Sequence, residues 1–424
     1  MIALSTTTCR RVRLPHLIVL TLSSFLTFLP IAQAAEESSL ERVVIVLRHG
    51  VRPPTKSAEA MADLSALPWP DEAAWGATIG ELTPHGAKAI VKLGSNLRDV
   101  YAKEGLLPNH GSVSKQVLIW ADGADQRTRA TAQYLAQGIG PEDPPSTGYL
   151  PPDNPDPLID ALRAGVCSLK PGDAEQAVRD AGPIETPEVA AALDRLQQIM
   201  APEACAHGPG MCLKGTTTIS ASATEVKLSG PLATGATVSE ALLLEYENGL
   251  TGKEFAWGRA TRADLDILLR IHEHASNLTR RTPYIAARRA GPLARFILAA
   301  MSDAQVQGTP AVQAEHRLIV VTGHDTTLSN LAGIFGFDWH LMQQPDVTAP
   351  GTGIAFERWR NKADGTAELR VRLLYQDTEQ VRSLLDTAAH QLWLTPSVCK
   401  VDKSCNLVDM RAAILQQLPA QCIQ

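Results

Sequence analysis

Three times along this 424-residue chain, a short apolar run ends abruptly in charge. Val43 to Leu47 leads into Arg48, His49 and Arg52, followed by Pro53 and Pro54. Val117 to Ala121 leads into Asp122, Asp125, Arg127 and Arg129, and Leu318 to Val321 leads into His324 and Asp325. After the second and third runs, apolar residues recur at three- and four-residue spacing (Ala130, Tyr134, Leu135, Ile139; Leu328, Leu331, Ala332), which predicts helices. Asp325 and Thr326 are placed to cap the last of these. The repeated unit is therefore strand, polar turn, helix. Near-continuous apolar strands alternating with helices predict an α/β fold with a mostly parallel sheet covered on both faces. In such sheets the ligand sits beyond the carboxyl ends of the strands. All three charged turns lie at those ends, so the fold is expected to gather them at one edge. Pro53 and Pro54 restrict the backbone behind the first turn, and Gly50 permits a tight turn or a close approach.

The expected cluster is Arg48, Arg52 and Arg127 with His49, His324 and Asp325. Three guanidiniums repel one another unless an anion lies between them, and their planar forks suit phosphate oxygens. A neutral histidine attacks phosphorus to give a phosphohistidine, and the leaving alkoxide then needs a proton. Asp325 is the candidate acid, and the arginines would stabilise charge on the equatorial oxygens. Neighbouring cations keep His49 neutral in mild acid and also favour ionised Asp325. Protonating Asp325 then requires acidic surroundings or a bound dianion, so an acidic optimum is expected. The chain has no Walker loop, which disfavours that kind of nucleotide chemistry.

Residues 1–34 have the layout of a secretory leader. Arg10, Arg11 and Arg13 precede a 15-residue, mostly apolar run from Leu17 to Ile31, and Ala32-Gln33-Ala34 supplies small residues for cleavage. The run is shorter than the ~20 residues a spanning helix needs. No later segment is long and apolar enough to span, so the mature protein is expected to be exported and free of the membrane. The net charge of −6 becomes more negative when the leader's arginines go, which does not suggest nucleic-acid binding. Six cysteines remain: Cys167, Cys205, Cys212, Cys399, Cys405 and Cys422. An even count in an exported chain favours disulfides, with several connectivities open. Pairs Cys205–Cys212 and Cys399–Cys405 would close short loops and leave Cys167–Cys422 as a long-range staple. No CxxC pair or suitable His spacing favours zinc.

Arg48-His49-Gly50-Val51-Arg52-Pro53-Pro54 resembles the RHGxRxP motif of the histidine acid phosphatases, and His324-Asp325 resembles that family's HD motif. Arg127, in Asp125-Gln126-Arg127-Thr128, sits like the family's third phosphate-binding arginine. Thr55-Lys56, Gly258-Arg259, Gln344-Pro345-Asp346 and Phe356-Glu357-Arg358-Trp359-Arg360 are similar to segments of the bacterial periplasmic phytase and acid phosphatase subgroup. The resemblance covers most of the mature chain. It implies His49 as nucleophile, Asp325 as proton donor, and Arg48, Arg52, Arg127 and His324 as phosphate ligands. It implies Thr55, Lys56, Glu240 and Arg289 as substrate-pocket residues, with Arg288 as rival to Arg289 and Arg129 as rival to Arg127. The subgroup's cysteine pattern supports the three pairings above; a fourth pair seen in some members is missing. The family fold implies an α/β core at about 35–150 and 285–424, with a mostly helical cap inserted at about 151–284.

On these grounds the chain is expected to be a periplasmic acid phosphatase acting on a small phosphorylated substrate such as phytate, as a monomer and without a cofactor. Thr327 stands where many phytases have asparagine, which keeps a broad monoesterase or a sugar-phosphate phosphatase as alternatives. A metallohydrolase is disfavoured because three arginines would repel a divalent cation. A non-catalytic phosphate receptor is disfavoured by the intact nucleophile and acid. His272 and His274, two apart on a helix, point to different faces and read as surface histidines rather than a metal pair.

Overall fold

The computed structural model describes residues 38–207, 211–302, 310–399 and 404–422. The leader expected at 1–34 lies outside them. Among the described residues, no helix is long and apolar enough to cross a membrane.

Ten strands are described: β1 (Ser38–Arg48), β2 (Val117–Ala121), β3 (Thr147–Tyr149), β4 (Thr218–Ala221), β5 (Val226–Ser229), β6 (Leu318–Gly323), β7 (Gly353–Asn361), β8 (Ala367–Tyr375), β9 (His390–Leu394) and β10 (Ser404–Asn406). The main sheet runs β10-β8-β7-β1-β6-β2-β3, with β9 also paired to β8. β1, β6, β2 and β3 form the parallel half. On the other side of β1 an antiparallel meander begins with β7 and continues through β8 to β9 and β10. The parallel core was expected from the three apolar runs; the antiparallel flank is an addition to that reading.

Strand alternation divides the apolar residues between two cores. Val44, Val46, Ile319 and Val321 pack with helices Pro283–Ala300 and Asp325–Phe335 on one face. Val43, Ile45, Leu47, Leu318 and Val320 pack with helices Pro84–Lys103 and Gln126–Ile139 on the other. Both faces are covered, which is why these strands read as continuous apolar runs. A third core joins helices Pro187–Met200, Pro231–Glu247 and Arg262–Thr279, and the β4–β5 hairpin lies beside them. Between β3 and β6, the described residues contribute no strand to the main sheet.

Register brings the three charged turns level. Arg48 pairs with Gly323, and Ala121 with Thr322. The next residues continue the match, because the His49 backbone N–H donates to Gly323 O at 3.0 Å and the Asp122 N–H to Thr322 O at 3.0 Å. Gly50 answers to a close approach rather than a left-handed turn. A Cβ there would meet Ile90 Cγ1 and Leu82 Cδ1, each at 2.8 Å.

The structure contains the disulfides Cys167–Cys422, Cys205–Cys212 and Cys399–Cys405. The first spans 255 residues and ties the segment after β3 to the chain's far end. Replacing both its cysteines with serine is expected to destabilise the fold by about 2–5 kcal/mol, read from the denaturant midpoint. The same change at Cys205–Cys212, which spans 7 residues, is expected to cost less.

Candidate active site

The carboxyl ends of β1, β2 and β6 open onto a cavity of about 250 Å³. Its wall includes His49, Arg52, Asp122, Arg127, Arg289, His324 and Asp325. The His49 and His324 rings meet edge-on, with centroids 5.6 Å apart.

The His49 ring is oriented by its own loop. Nδ1 lies 2.8 Å from Gly50 O. A carbonyl only accepts, so Nδ1 carries the proton and the Nε2 lone pair is left available. Burial, reinforced by Arg52, Arg127, Arg48 and His324, holds the imidazole well below its ordinary pKa. His49 is therefore neutral, as an attacking imidazole must be. Thr131 Oγ1 fixes the loop by accepting from Gly50 N–H at 3.1 Å.

His324 is the N-cap of helix Asp325–Phe335, and its backbone N–H donates to Thr327 Oγ1 at 3.3 Å. This corrects the expectation that Asp325 and Thr326 cap the helix: Asp325 occupies the first helical turn, and its side chain is used elsewhere. His324 Nε2 reaches Asp122 Oδ2 at 2.7 Å. Burial opposes ionisation of Asp122, but His324, the Ala124 N–H and Arg127 together outweigh it and keep the carboxyl below its usual range.

Arg48 and Arg52 differ more than their shared motif suggests. Arg48 is fully buried behind the cavity, where it donates to Thr348 O at 2.6 Å and Asp346 at 3.2 Å, and pairs with Glu240. Burial alone would lower its pKa, but Glu240, Asp325 and Asp346 raise it above the ordinary value, so it is permanently charged. Arg52 lines the cavity, donates to Pro53 O at 3.1 Å and lies 3.4 Å from Glu240. Glu240 thus ties the two arginines together. It also lines a side groove with Thr55, Lys56 and Arg52. Thr55 and Lys56 are exposed, and Thr55 caps no helix.

The members of each rival pair sit differently. Arg127 faces the cavity and pairs with Asp125 at 2.8 Å, whereas Arg129 turns to Gly123 O and the Tyr149 ring. Arg289 lines the cavity beside Asp160, at 3.5 Å, whereas Arg288 lies over the Tyr284 ring.

His272 is the residue that sequence reasoning misplaced. It is not on the surface but 4% exposed, with Nε2 3.5 Å from Asp325 and Nδ1 3.3 Å from Asp346. Burial disfavours its charge, but Asp346 and Asp325 outweigh this and push its pKa up to about 10. His274, on the other side of the helix, does lie toward the surface, near the carbonyls of Pro183 and Ile184. Arg280 is a second missed partner, paired with the Asp325 carboxylate. For Asp325, burial opposes ionisation, but Arg280, the neighbouring His272 and Arg48 offset it and hold the carboxyl well below its ordinary range.

The raised His272 pKa has a stability consequence with a definite sign. A cationic partner contributes fully below its unfolded pKa, near 6.5, and that contribution is lost as pH climbs toward the folded value of about 10. Melting temperature is therefore expected to fall through that window, and His272→Gln is expected to flatten the fall.

Asp122, Asp125 and His324 form one group with metal-type ligand atoms within 4.8 Å; Glu240, His272 and Asp325 form another. Arg127 is ion-paired within the first, and Arg48, Arg52 and Arg280 within the second. A divalent cation would have to displace guanidiniums from both. Exhaustive chelation is expected to leave activity unchanged.

Comparison with known proteins identifies the family. Residues 39–200 match the model of the histidine phosphatase superfamily (branch 2). Phytase AppA of Escherichia coli strain K12 is 34% identical over 396 residues, covering 87% of this chain and 89% of the relative. The chain belongs to the histidine phosphatase superfamily. As a histidine acid phosphatase it is a phosphoric monoester hydrolase. A glucose-1-phosphatase of Providencia rettgeri is 26% identical over 412 residues, covering 89% of this chain and 92% of that one. The Hafnia alvei phytase bound to myo-inositol hexakis sulphate superposes with a TM-score of 0.84 at 29% identity, covering 92% of this chain and all of that one. This histidine phosphatase thus shares its fold with phytases over nearly its whole length.

Proposed function

We propose that this histidine acid phosphatase is an exported, periplasmic phytase, removing phosphate from myo-inositol hexakisphosphate through a phosphohistidine on His49. The observation that carries the chemistry is the neutral His49 ring, with Nε2 free, in a cavity shared with Arg52, Arg127, His324 and Asp325. Nε2 attacks phosphorus as the ester P–O bond breaks, and Asp325 delivers its proton to the leaving oxygen. Water then attacks the phosphohistidine, Asp325 takes a proton from that water, and inorganic phosphate leaves. Arg52, Arg127 and His324 bear on the transferring group from the cavity wall. Arg48 acts from behind, and reaches phosphate oxygens if Glu240 yields.

Two rim cations support a substrate with several phosphates. Arg289 lines the central cavity, and Lys56 lines the side groove beside Arg52 and Glu240. Each would grip a phosphate other than the one being transferred. Similarity to phytases supports the same substrate. Residues 151–284 are proposed as the cap, because they supply most of an apolar core distinct from the two that flank the sheet.

The test compares kcat/KM on phytate, glucose 1-phosphate and p-nitrophenyl phosphate. A clear preference for phytate, reduced by Lys56→Ala and Arg289→Ala while p-nitrophenyl phosphate turnover persists, supports the proposal. A preference for glucose 1-phosphate, insensitive to both changes, overturns the phytase assignment and favours the function of the second relative.

A further inference from the structure

We propose that Arg280 is a positioning residue that gates the general acid: it clamps Asp325 in the empty enzyme and moves to the substrate phosphate when the cavity fills. This rests on the reading of Asp325 as the acid. That reading creates a conflict which the geometry itself addresses. A general acid must carry a proton, yet empty-site Asp325 faces Arg280 and His272 from helix Arg262–Thr279 and its C-cap, and Arg48 from the end of β1. Among the described residues, the acidic group facing it is Glu240, from helix Pro231–Glu247, already shared between Arg48 and Arg52. Something must weaken the cationic surroundings before Asp325 takes up a proton.

Arg280 is the member of that set able to leave. Its backbone is pinned at both polar atoms, with the N–H donating to Ser276 O at 2.8 Å and the carbonyl accepting from Asn330 Nδ2 at 2.7 Å. Its guanidinium has one described partner, Asp325. The side chain is 28% exposed against 12% for Asp325, so it is the more solvent-accessible partner of the pair. Its neighbour Arg281 has the opposite character, held by Asn277, Phe337 O, Asp338 and the Trp339 ring. His272 and Arg48 are buried and wedged between two carboxylates each, so neither is free to move.

An incoming phosphate dianion competes with Asp325 for the mobile guanidinium, and a bidentate contact to phosphate favours the exchange. Release of the clamp and arrival of the dianion both favour protonation of Asp325. The acid would thus be armed by the substrate rather than by bulk pH alone.

The experiment is a pair of pH–rate profiles for the parent, Arg280→Gln and Arg280→Lys on p-nitrophenyl phosphate and β-glycerophosphate. In the parent, the basic limb of kcat/KM, which reports the free enzyme, is expected to lie below that of kcat. In Arg280→Gln the kcat/KM limb is expected to rise by about one pH unit and meet the kcat limb, while KM increases several-fold. Arg280→Lys is expected to restore part of both. Unchanged limbs and KM in Arg280→Gln overturn the proposal. A second measurement needs no variant at this position. Inorganic phosphate added to the parent near pH 5 is expected to raise a protonated-carboxyl infrared band that Asp325→Asn lacks. Absence of that band also overturns the proposal. If a phosphoenzyme forms normally on His49 while neither result appears, the gate fails and the proposed function stands.

Discussion

His49→Ala is expected to lose at least about four orders of magnitude in kcat on every ester tested, since no second nucleophile with its geometry lies in the cavity wall among the described residues. The loss should be equal for good and poor leaving groups, because bond formation to phosphorus is removed in both. Folding should be largely retained. His49 is buried, but its ring makes a single described hydrogen bond, to the adjacent Gly50 carbonyl. A melting curve close to the parent's separates lost chemistry from lost structure. Phosphate is still expected to bind the variant, because Arg52, Arg127 and His324 remain.

Asp325→Asn should behave differently. Its cost is expected to be about 10²–10⁴ in kcat/KM on alkyl phosphates such as phytate, and much smaller in kcat/KM on p-nitrophenyl phosphate, whose leaving group needs little help from a proton, while slower hydrolysis of the phosphohistidine lowers kcat on both. The substitution also leaves Arg280 and His272 without their shared carboxylate. An amide in place of the carboxyl does not titrate, so the basic limb seen with alkyl phosphates should disappear. In the parent that limb follows from a carboxyl held well below its ordinary range in the empty site. The protonated acid is lost as pH rises through its pKa, which places the optimum on the acidic side. Leaving-group dependence equal to the parent's would remove Asp325 from the role.

Much of this arrangement was legible in the sequence because it depends on local order. Each of the three apolar runs became a strand, and each charged turn followed directly. Parallel register then aligned three distant turns without further information. The antiparallel flank was harder to read. β7 and β8 mix Glu357, Arg358, Arg370 and Arg372 with apolar residues, and Glu357 and Arg358 are accommodated by Tyr101 and Glu41 on other elements. Arg372 pairs with Glu357 inside the sheet, a match that strand periodicity does not reveal.

The same limit hid His272 and Arg280. Helical spacing correctly separated His272 from His274 but could not say which face was buried. The partners of His272, Asp325 and Asp346, come from two later segments. A buried charge is recognisable only with its counter-charges, and those were assembled by the fold. Glu240 was found through family resemblance, yet its place between Arg48 and Arg52 makes it a brace for the arginines as much as a wall of the groove.

The most direct test of the central claim is rapid acid-free quenching of the parent during turnover of a ³²P-labelled ester, followed by peptide mapping. The account predicts an acid-labile, base-stable label on the peptide containing His49, absent from His49→Ala and longer-lived in Asp325→Asn. Label on any other residue, or label persisting in His49→Ala, would contradict it.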